Sequence, residues 1–432
     1  MPAADALRVL IAGGGIGGLA AALCVARAGH KVQVFEKAAQ FAEAGAGIQL
    51  GPNATRILQA WGLGSALQRA ACQPQALVVH DAASGKELGR LPLGDAMQRC
   101  YGAPYFTLHR AALHGLLLDA VRAEPAAGAG QIELHTGWAL ANTEQDEQAV
   151  HASLHTHDGK QPVRHGDVLV AAHGLWSLPV QSAEMRSTSR GAMQGGALHF
   201  TGHWAWRTLL DLPTGQSGAD EDLRAWSVLT KQVSVWLAPR MHAVAYPVRD
   251  AQGTLKLNLV VAVESDGGDA RNEAGTQADW GSKNFAQISN LPNENNHSQL
   301  QNLLQLAGRQ NGWQRWPLFA TAPLRGPEAM HQGRVARLGD AAHPMLPYLA
   351  QGAGMAIEDA AALGSAMAQP RHPENMLAAY ADIRWQRNAR VQAKALQNSK
   401  VFHADGLLRW GRDLAMRSLG ARLLDQPWLY GF

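Results

Sequence analysis

Apolar positions fall into two textures along this chain. Leu7 to Ala12 is a short apolar run that ends in glycines, followed by an Ala/Leu-rich segment, Leu19 to Ala28, closed by Gly29. That order predicts a strand, a tight turn and a helix ended by its glycine. Lys31 to Phe35 alternates toward a second strand, which completes a βαβ unit with a right-handed crossover. Leucines at helical spacing from Ala112 to Ala123, and an apolar strand from Asp167 to Ala172, extend the same doubly wound parallel sheet.

The second texture runs from about Gly195 to Val263. Leu198 to Leu210, Trp226 to Leu237, His242 to Val248 and Leu255 to Val263 read as successive strands of a mostly antiparallel sheet. Pro213 to Asp222 and Ser265 to Ser298 are polar insertions expected on the surface. Val335 to Leu338 returns to a buried-strand pattern, and Met376 to Val401 is strongly helical, with its Leu, Ala and Met stripe expected in the core. The expected fold class is α/β. A Rossmann-like, parallel-sheet domain covers residues 1–180 and 320–370. Interleaved with it is a substrate domain on a mostly antiparallel sheet, residues 181–319 with a contribution from about 75–100, and a C-terminal helical segment spans 371–432.

A chain of 432 residues can build two sizeable cores. A net charge of +3, with no run of Lys or Arg, argues against nucleic acid and for small-molecule chemistry. Three cysteines, Cys24, Cys72 and Cys100, without Cys-x-x-Cys spacing, suit a reducing, cytoplasmic compartment. Six residues before the first strand leave no room for a signal peptide, and no apolar run of about 18 residues suggests a spanning helix.

Two glycine-rich turns carry the chemistry. In Gly13-Gly14-Gly15-Ile16-Gly17-Gly18, Gly13 permits the bend, Gly15 lets backbone approach a pyrophosphate, and Gly18 seats the helix on the strand. Glu36, followed by Lys37, stands at the end of the second strand, where a ribose hydroxyl needs an acceptor. Three hundred residues later, Gly339-Asp340 closes another strand, Pro344 and Pro347 stiffen the connection, and Gly352-Ala353-Gly354 opens a helix.

Together, Gly13–Gly18 and the segment from Gly339 to Ala361 resemble the two ends of the FAD site in the single-component (group A) flavoprotein aromatic hydroxylases, the salicylate, 3-hydroxybenzoate and 6-hydroxynicotinate hydroxylase family. The resemblance spans nearly the whole chain. It implies a GR2-type FAD domain in which Gly13, Gly15, Gly17, Gly18, Glu36, Lys37, Gln49, Arg110, Gly174, Gly339, Asp340, Pro347, Gly352 and Ala353 contact the cofactor. Arg110 lies in Thr107-Leu108-His109-Arg110-Ala111-Ala112-Leu113-His114. Gln49 lies in the flavin-loop segment from Gly45 to Asn53, where some relatives carry a basic His. Where the family has Asp-Gly-x-x-Ser-x-x-Arg, this chain reads His173-Gly174-Leu175-Trp176-Ser177-Leu178-Pro179-Val180, without the Asp and the Arg. No second Gly-x-Gly-x-x-Gly follows a strand, so NADH or NADPH is expected to visit transiently. The implied reaction is hydroxylation of a phenolic or N-heteroaromatic, carboxylated ring with O2, through a flavin hydroperoxide. A flavin dehydrogenase is the alternative. A halogenase is another, although Trp204-Ala205-Trp206 is followed here by Arg207-Thr208-Leu209.

For the substrate, strand alternation places His242, Val244 and Tyr246 on one face. Tyr246 and His242, with Pro344, are the catalytic candidates, and Trp206, Arg207 and Trp236 are candidates for an aromatic wall and a carboxylate clamp. His343 is expected to be structural. His151, His155, His157 and His165 read as a solvated surface rather than a metal site, and no metal is expected. A monomer or homodimer fits equally.

Overall fold

The computed structural model describes residues 6–41, 47–124, 131–175, 197–212, 226–265, 298–310 and 312–431. The chain divides into two compact units, Met1–Ala44, Leu113–Leu198 and Thr321–Ala395 in one, Gly45–Ala112, His199–Ala320 and Leu396–Phe432 in the other. The insertions Pro213 to Asp222 and Ser265 to Ser298, and Trp176 to Val180, lie wholly or almost wholly outside the described residues.

The first unit is built on a six-stranded sheet in the order His331–Gln332, Val335–Arg337, Val168–Ala171, Arg8–Ala12, Lys31–Glu36, Ile132–Thr136. Every pairing is parallel except that of the two short strands at one edge. Such strands are buried on both faces and read as continuous apolar runs, as Val9–Ala12 and Val168–Val170 do. Helix Ile16–Arg27 packs on helix Gly352–Met367, and small residues let them approach: a Cβ on Gly364 would stand 2.6 Å from that of Cys24. A separate three-stranded sheet, Val163–Gly166, Val150–Thr156 and Trp138–Gln145, covers part of the core through Phe35, Val150, Leu154 and Trp138.

The second unit centres on a seven-stranded sheet ordered Gln314–Ala320, His199–Asp211, Leu255–Glu264, Met241–Arg249, Gln232–Ala238, Ala76–Asp81, Glu87–Pro92. All its pairings are antiparallel except Gln232–Ala238 with Ala76–Asp81. One face carries Trp206, Leu210, Trp236, Met241, Leu257, Leu259 and Val261, and helix Ser298–Gln310 covers it with Leu300, Leu303, Leu304 and Ala307. Residues 226–229, expected as the start of a strand, are helical; the strand begins at Gln232. Helix Pro373–Phe402 begins before and ends after the expected stretch. Among the described residues, no helix is long and apolar enough to cross a membrane.

Candidate active site

The glycine loop follows strand Arg8–Ala12 at the carboxyl edge of the parallel sheet. Gly13 has φ +108°, and a Cβ there would meet the Ala172 carbonyl oxygen at 2.5 Å; a Cβ on Gly18 would stand 1.9 Å from the Gly13 carbonyl oxygen. Both are buried, whereas Gly15 and Gly17 are half-buried, so their backbone remains within reach of a ligand. Glu36 closes the next strand, its carboxylate accepting from the Gly14 amide at 2.7 Å and the Ala38 amide at 2.9 Å. That places the ribose-type acceptor beside the loop. Lys37 is exposed next to it.

Gly339, at φ +60°, turns the chain after strand Val335–Arg337 in the same sheet. Asp340 is exposed there, and a Cβ on Gly352, the first residue of helix Gly352–Met367, would lie 4.0 Å from its Oδ1. Gly352 and Ala353 are half-buried, Pro344 is buried and Pro347 exposed. Neither helix Ile16–Arg27 nor helix Gly352–Met367 has a side-chain cap at its N-terminus. Uncapped amides, a positive dipole end, acidic hydroxyl acceptors and glycines that admit no Cβ form a donor set that fits a dinucleotide. Glu36 and Asp340 thus belong to one sheet.

Beneath this edge lies a buried charge network. Asp359 accepts from Arg384 Nε at 2.8 Å, Asn388 Nδ2 at 3.0 Å and the Gly339 amide at 3.1 Å, and pairs with His343 Nε2 at 2.6 Å. Burial alone would raise its carboxyl, but His343 and Arg384 outweigh that and hold it well below the usual range. Arg384 also reaches Glu358 at 2.7 Å, which Arg387 binds from the other side. His343 is therefore structural, and the network fixes the Gly339 turn. Gln392, one turn on, donates to the Pro344 carbonyl at 3.1 Å.

His173 stands where the family has an acid. It donates to the Ala12 backbone, and burial, with Arg337 and Lys37 nearby, lowers its pKa to about 4. Gly174 keeps a positive φ of +83°.

In the second unit, the sheet face opposite the leucine-covered core carries Arg207, Tyr246 and Asn258. Tyr246 pairs in register with Asn258, which accepts from the Gly47 amide at 2.9 Å. Gln49, on strand Gly47–Leu50, accepts from the Tyr105 hydroxyl at 2.7 Å and hydrogen-bonds Tyr246. Burial raises the Tyr246 phenol and Arg207 partly offsets it, so the hydroxyl stays protonated. Burial lowers the Arg207 guanidinium, with Tyr246 opposing and Arg110 adding to the effect. Two guanidiniums close enough to repel, with Arg207 Nε making no hydrogen bond among the described residues, favour an anion at this face. Sequence reasoning named Gln49, Arg110, Arg207 and Tyr246 separately; Tyr105 and Asn258 were missed because nothing local in sequence brings them to Tyr246.

Trp206 and Trp236, expected as an aromatic wall beside Arg207, are corrected: both lie in the core under helix Ser298–Gln310. Strand alternation forbids Trp206 and Arg207 from sharing a face. His242 does share the face of Tyr246, but its Nδ1 lies 2.8 Å from His403 Nε2, and burial with neighbouring His403 and His203 keeps it neutral. His151 and His165 are paired at 2.6 Å, with Asp146 on His151 at 2.9 Å, in an exposed cluster.

These features define a flavoprotein: a dinucleotide fold joined in one chain to an antiparallel sheet whose polar face suits an anionic ligand. A family model described as FAD binding domain matches residues 6–208 and 233–395. The chain is 34% identical over 433 residues to 3-hydroxybenzoate 6-hydroxylase of Polaromonas naphthalenivorans, covering 99% of this chain and 96% of that one. It is 30% identical over 399 residues to 6-hydroxynicotinate 3-monooxygenase of Bordetella bronchiseptica, covering 91% of each. A crystal structure of Klebsiella pneumoniae HpxO complexed with FAD and uric acid superposes with a TM-score of 0.75 at 20% identity, covering 97% of this chain and 94% of that chain. The chain belongs to the family of FAD-dependent aromatic hydroxylases.

Proposed function

We propose that this enzyme hydroxylates an aromatic or N-heteroaromatic ring bearing both a hydroxyl and a carboxylate, using O2 and reducing equivalents from NADH or NADPH. The observation that carries the reading is the pairing of half-buried Arg207 with buried Tyr246 on one face of the sheet, with Arg110 adding positive potential. The relatives' names, hydroxybenzoate and hydroxynicotinate, describe rings with that pair of substituents. Gly13, Gly15, Gly17, Gly18, Glu36 and Lys37 would hold the adenosine and pyrophosphate half of FAD, and Gly339, Asp340, Pro347, Gly352 and Ala353 the ribityl and ring half, with Arg110, Gln49 and Gly174 completing the set. Bound FAD supplies the redox chemistry that activates O2.

The remaining work falls to side chains. Arg207 neutralises a carboxylate or an ionising phenol in a site with little water to compete. Tyr246, kept protonated by burial, donates to the ring oxygen and orients it rather than acting as a base. Gln49 fixes Tyr246, and Tyr105 fixes Gln49. His242 is held neutral by burial and its histidine neighbours, and Pro344 shapes the flavin end without titrating. Three free cysteines accord with a reducing cytoplasm. The test is a panel of hydroxylated aromatic acids and their decarboxylated analogues. Carboxylated phenols are expected to accelerate NAD(P)H oxidation and yield hydroxylated product, and equal turnover of the decarboxylated analogues would refute the assignment.

A further inference from the structure

Four residues further along the face from Tyr246 and Arg207, the strands converge on a second cluster. His203 and Glu264 are direct cross-strand partners. His403, just past helix Pro373–Phe402, lays its ring 5.1 Å from that of His203 and 5.1 Å from that of His242, centroid to centroid. We propose that His203, Glu264 and His403 form a binding site for a borderline divalent cation of the zinc class, with His242 as the outer partner that orients His403.

The geometry is that of a tripod. His203 Nε2 lies 3.8 Å from Glu264 Oε1, His403 Nδ1 lies 3.2 Å from the same oxygen, and all three ligand atoms fall within 4.8 Å of one another. A tetrahedral cation with bonds of about 2.0–2.1 Å holds its ligand atoms about 3.3–3.4 Å apart, so small side-chain adjustments close the site. Two imidazoles and one carboxylate leave further positions for water, which is the ligand mix of zinc, cobalt and nickel sites.

Hydrogen bonding already assigns the proton on His203. Its Nδ1 lies 2.8 Å from the Thr201 carbonyl, which can only accept, so the proton is on Nδ1 and Nε2 turns its lone pair toward Glu264. A lone pair facing a carboxylate is repulsive unless a proton or a metal ion stands between them. His403 Nε2, 2.8 Å from His242 Nδ1, would donate its N–H there, the second contact that metal-bound histidines commonly make.

Two cations stand nearby and set the strength. Arg240 Nε is 3.5 Å from Glu264 Oε2, the oxygen the tripod does not use, and Arg412 adds positive potential at His403. Arg412 itself is held by Asp413 and the carbonyls of Val401 and Phe402. Affinity in the micromolar rather than the nanomolar range is expected. The competing arrangement is a hydrogen-bonded chain, His242 Nδ1–H to His403 Nε2 and His403 Nδ1–H to Glu264, which leaves no ligand atom on His403.

The test uses the FAD-loaded, chelator-treated full chain with Zn2+ alone. Equilibrium dialysis, with bound zinc measured by atomic emission, is expected to give one site per chain whose affinity falls at least tenfold in E264Q and in H203Q. H151Q, at the exposed histidine pair, is expected to retain it. Co2+ should show tetrahedral visible bands at wavelengths beyond the flavin absorption, and E264Q should lose them. The flavin spectrum and circular dichroism check that each variant is folded. The proposal is overturned if the wild-type chain binds no zinc, if E264Q and H203Q bind as wild type does, or if the site disappears in H151Q.

Discussion

One buried polar cluster in the parallel-sheet unit and one in the antiparallel-sheet unit meet their charges in different ways. Around Asp359 each carboxylate and guanidinium has a partner, with only His343 Nδ1 left without one among the described residues of the cluster, and the network holds a turn still. Around Tyr246, Arg207 Nε and Asn258 Nδ2 are buried without hydrogen-bond partners among the described residues. Buried donors are ordinarily satisfied, so a satisfied network reads as scaffold and an unsatisfied one as a place prepared for a ligand. On the proposed function, the contrast would separate cofactor holding by backbone and glycine from substrate recognition by long side chains.

The sharpest way to break the contrast is at the glycine loop. Gly18→Ala puts a methyl against the Gly13 carbonyl, and FAD affinity is expected to fall by about a hundredfold or more in a fluorescence titration. Gly29→Ala, at φ +96° with no atom within 4 Å of its Cβ, should cost about 1 kcal/mol of stability and leave FAD binding intact. Removing a charge from the satisfied network comes next. Asp359→Asn removes one of the two buried carboxylates that Arg384 pairs with and the counter-charge of His343, and should destabilise the chain by about 3–5 kcal/mol, read as a lowered denaturation midpoint.

At the unsatisfied end the effect should appear in kinetics instead of stability. Arg207→Gln is expected to raise KM for carboxylated substrates by about 10- to 100-fold, the loss of one charge-assisted contact of about 1.5–3 kcal/mol, with little change in the denaturation midpoint. Tyr246→Phe should lower kcat by about tenfold or more while the substrate still binds. A smaller effect separates pH dependence from both. The pKa of His173 falls from an ordinary value near 6.5 to about 4 on folding, so the unfolded chain binds the extra proton between those values. Its contribution to stability is complete above about pH 6.5 and is lost as pH falls toward 4. His173→Asn should flatten that part of the stability profile, measured against the wild-type chain.

The same contrast explains what could be read from the sequence. The glycine loop, Glu36 and the Gly339-Asp340 turn are local patterns, and a strand–turn–helix fixes their geometry within a few residues. The face of Tyr246 was legible because alternation is local too. Trp206 and Trp236 were misplaced because choosing the ligand face requires knowing which side helix Ser298–Gln310 covers, and that helix follows a long polar insertion. Tyr105, Asn258 and His403 act through neighbours about 56, 211 and 161 residues away, where no periodicity reaches. Arg384 and Asn388 sit four apart on a helix stripe, the one signal that could have revealed the partners of Asp359.

The central claim is that the chain uses FAD to insert oxygen into the ring of a hydroxylated aromatic acid. The most direct measurement is turnover of hydroxylated aromatic acids by the FAD-loaded chain under 18O2, with product and NAD(P)H counted together. One 18O atom in the ring per NAD(P)H consumed is expected for the cognate acid. NAD(P)H oxidation that yields only peroxide across every phenolic and N-heteroaromatic acid, with no labelled product, would contradict it.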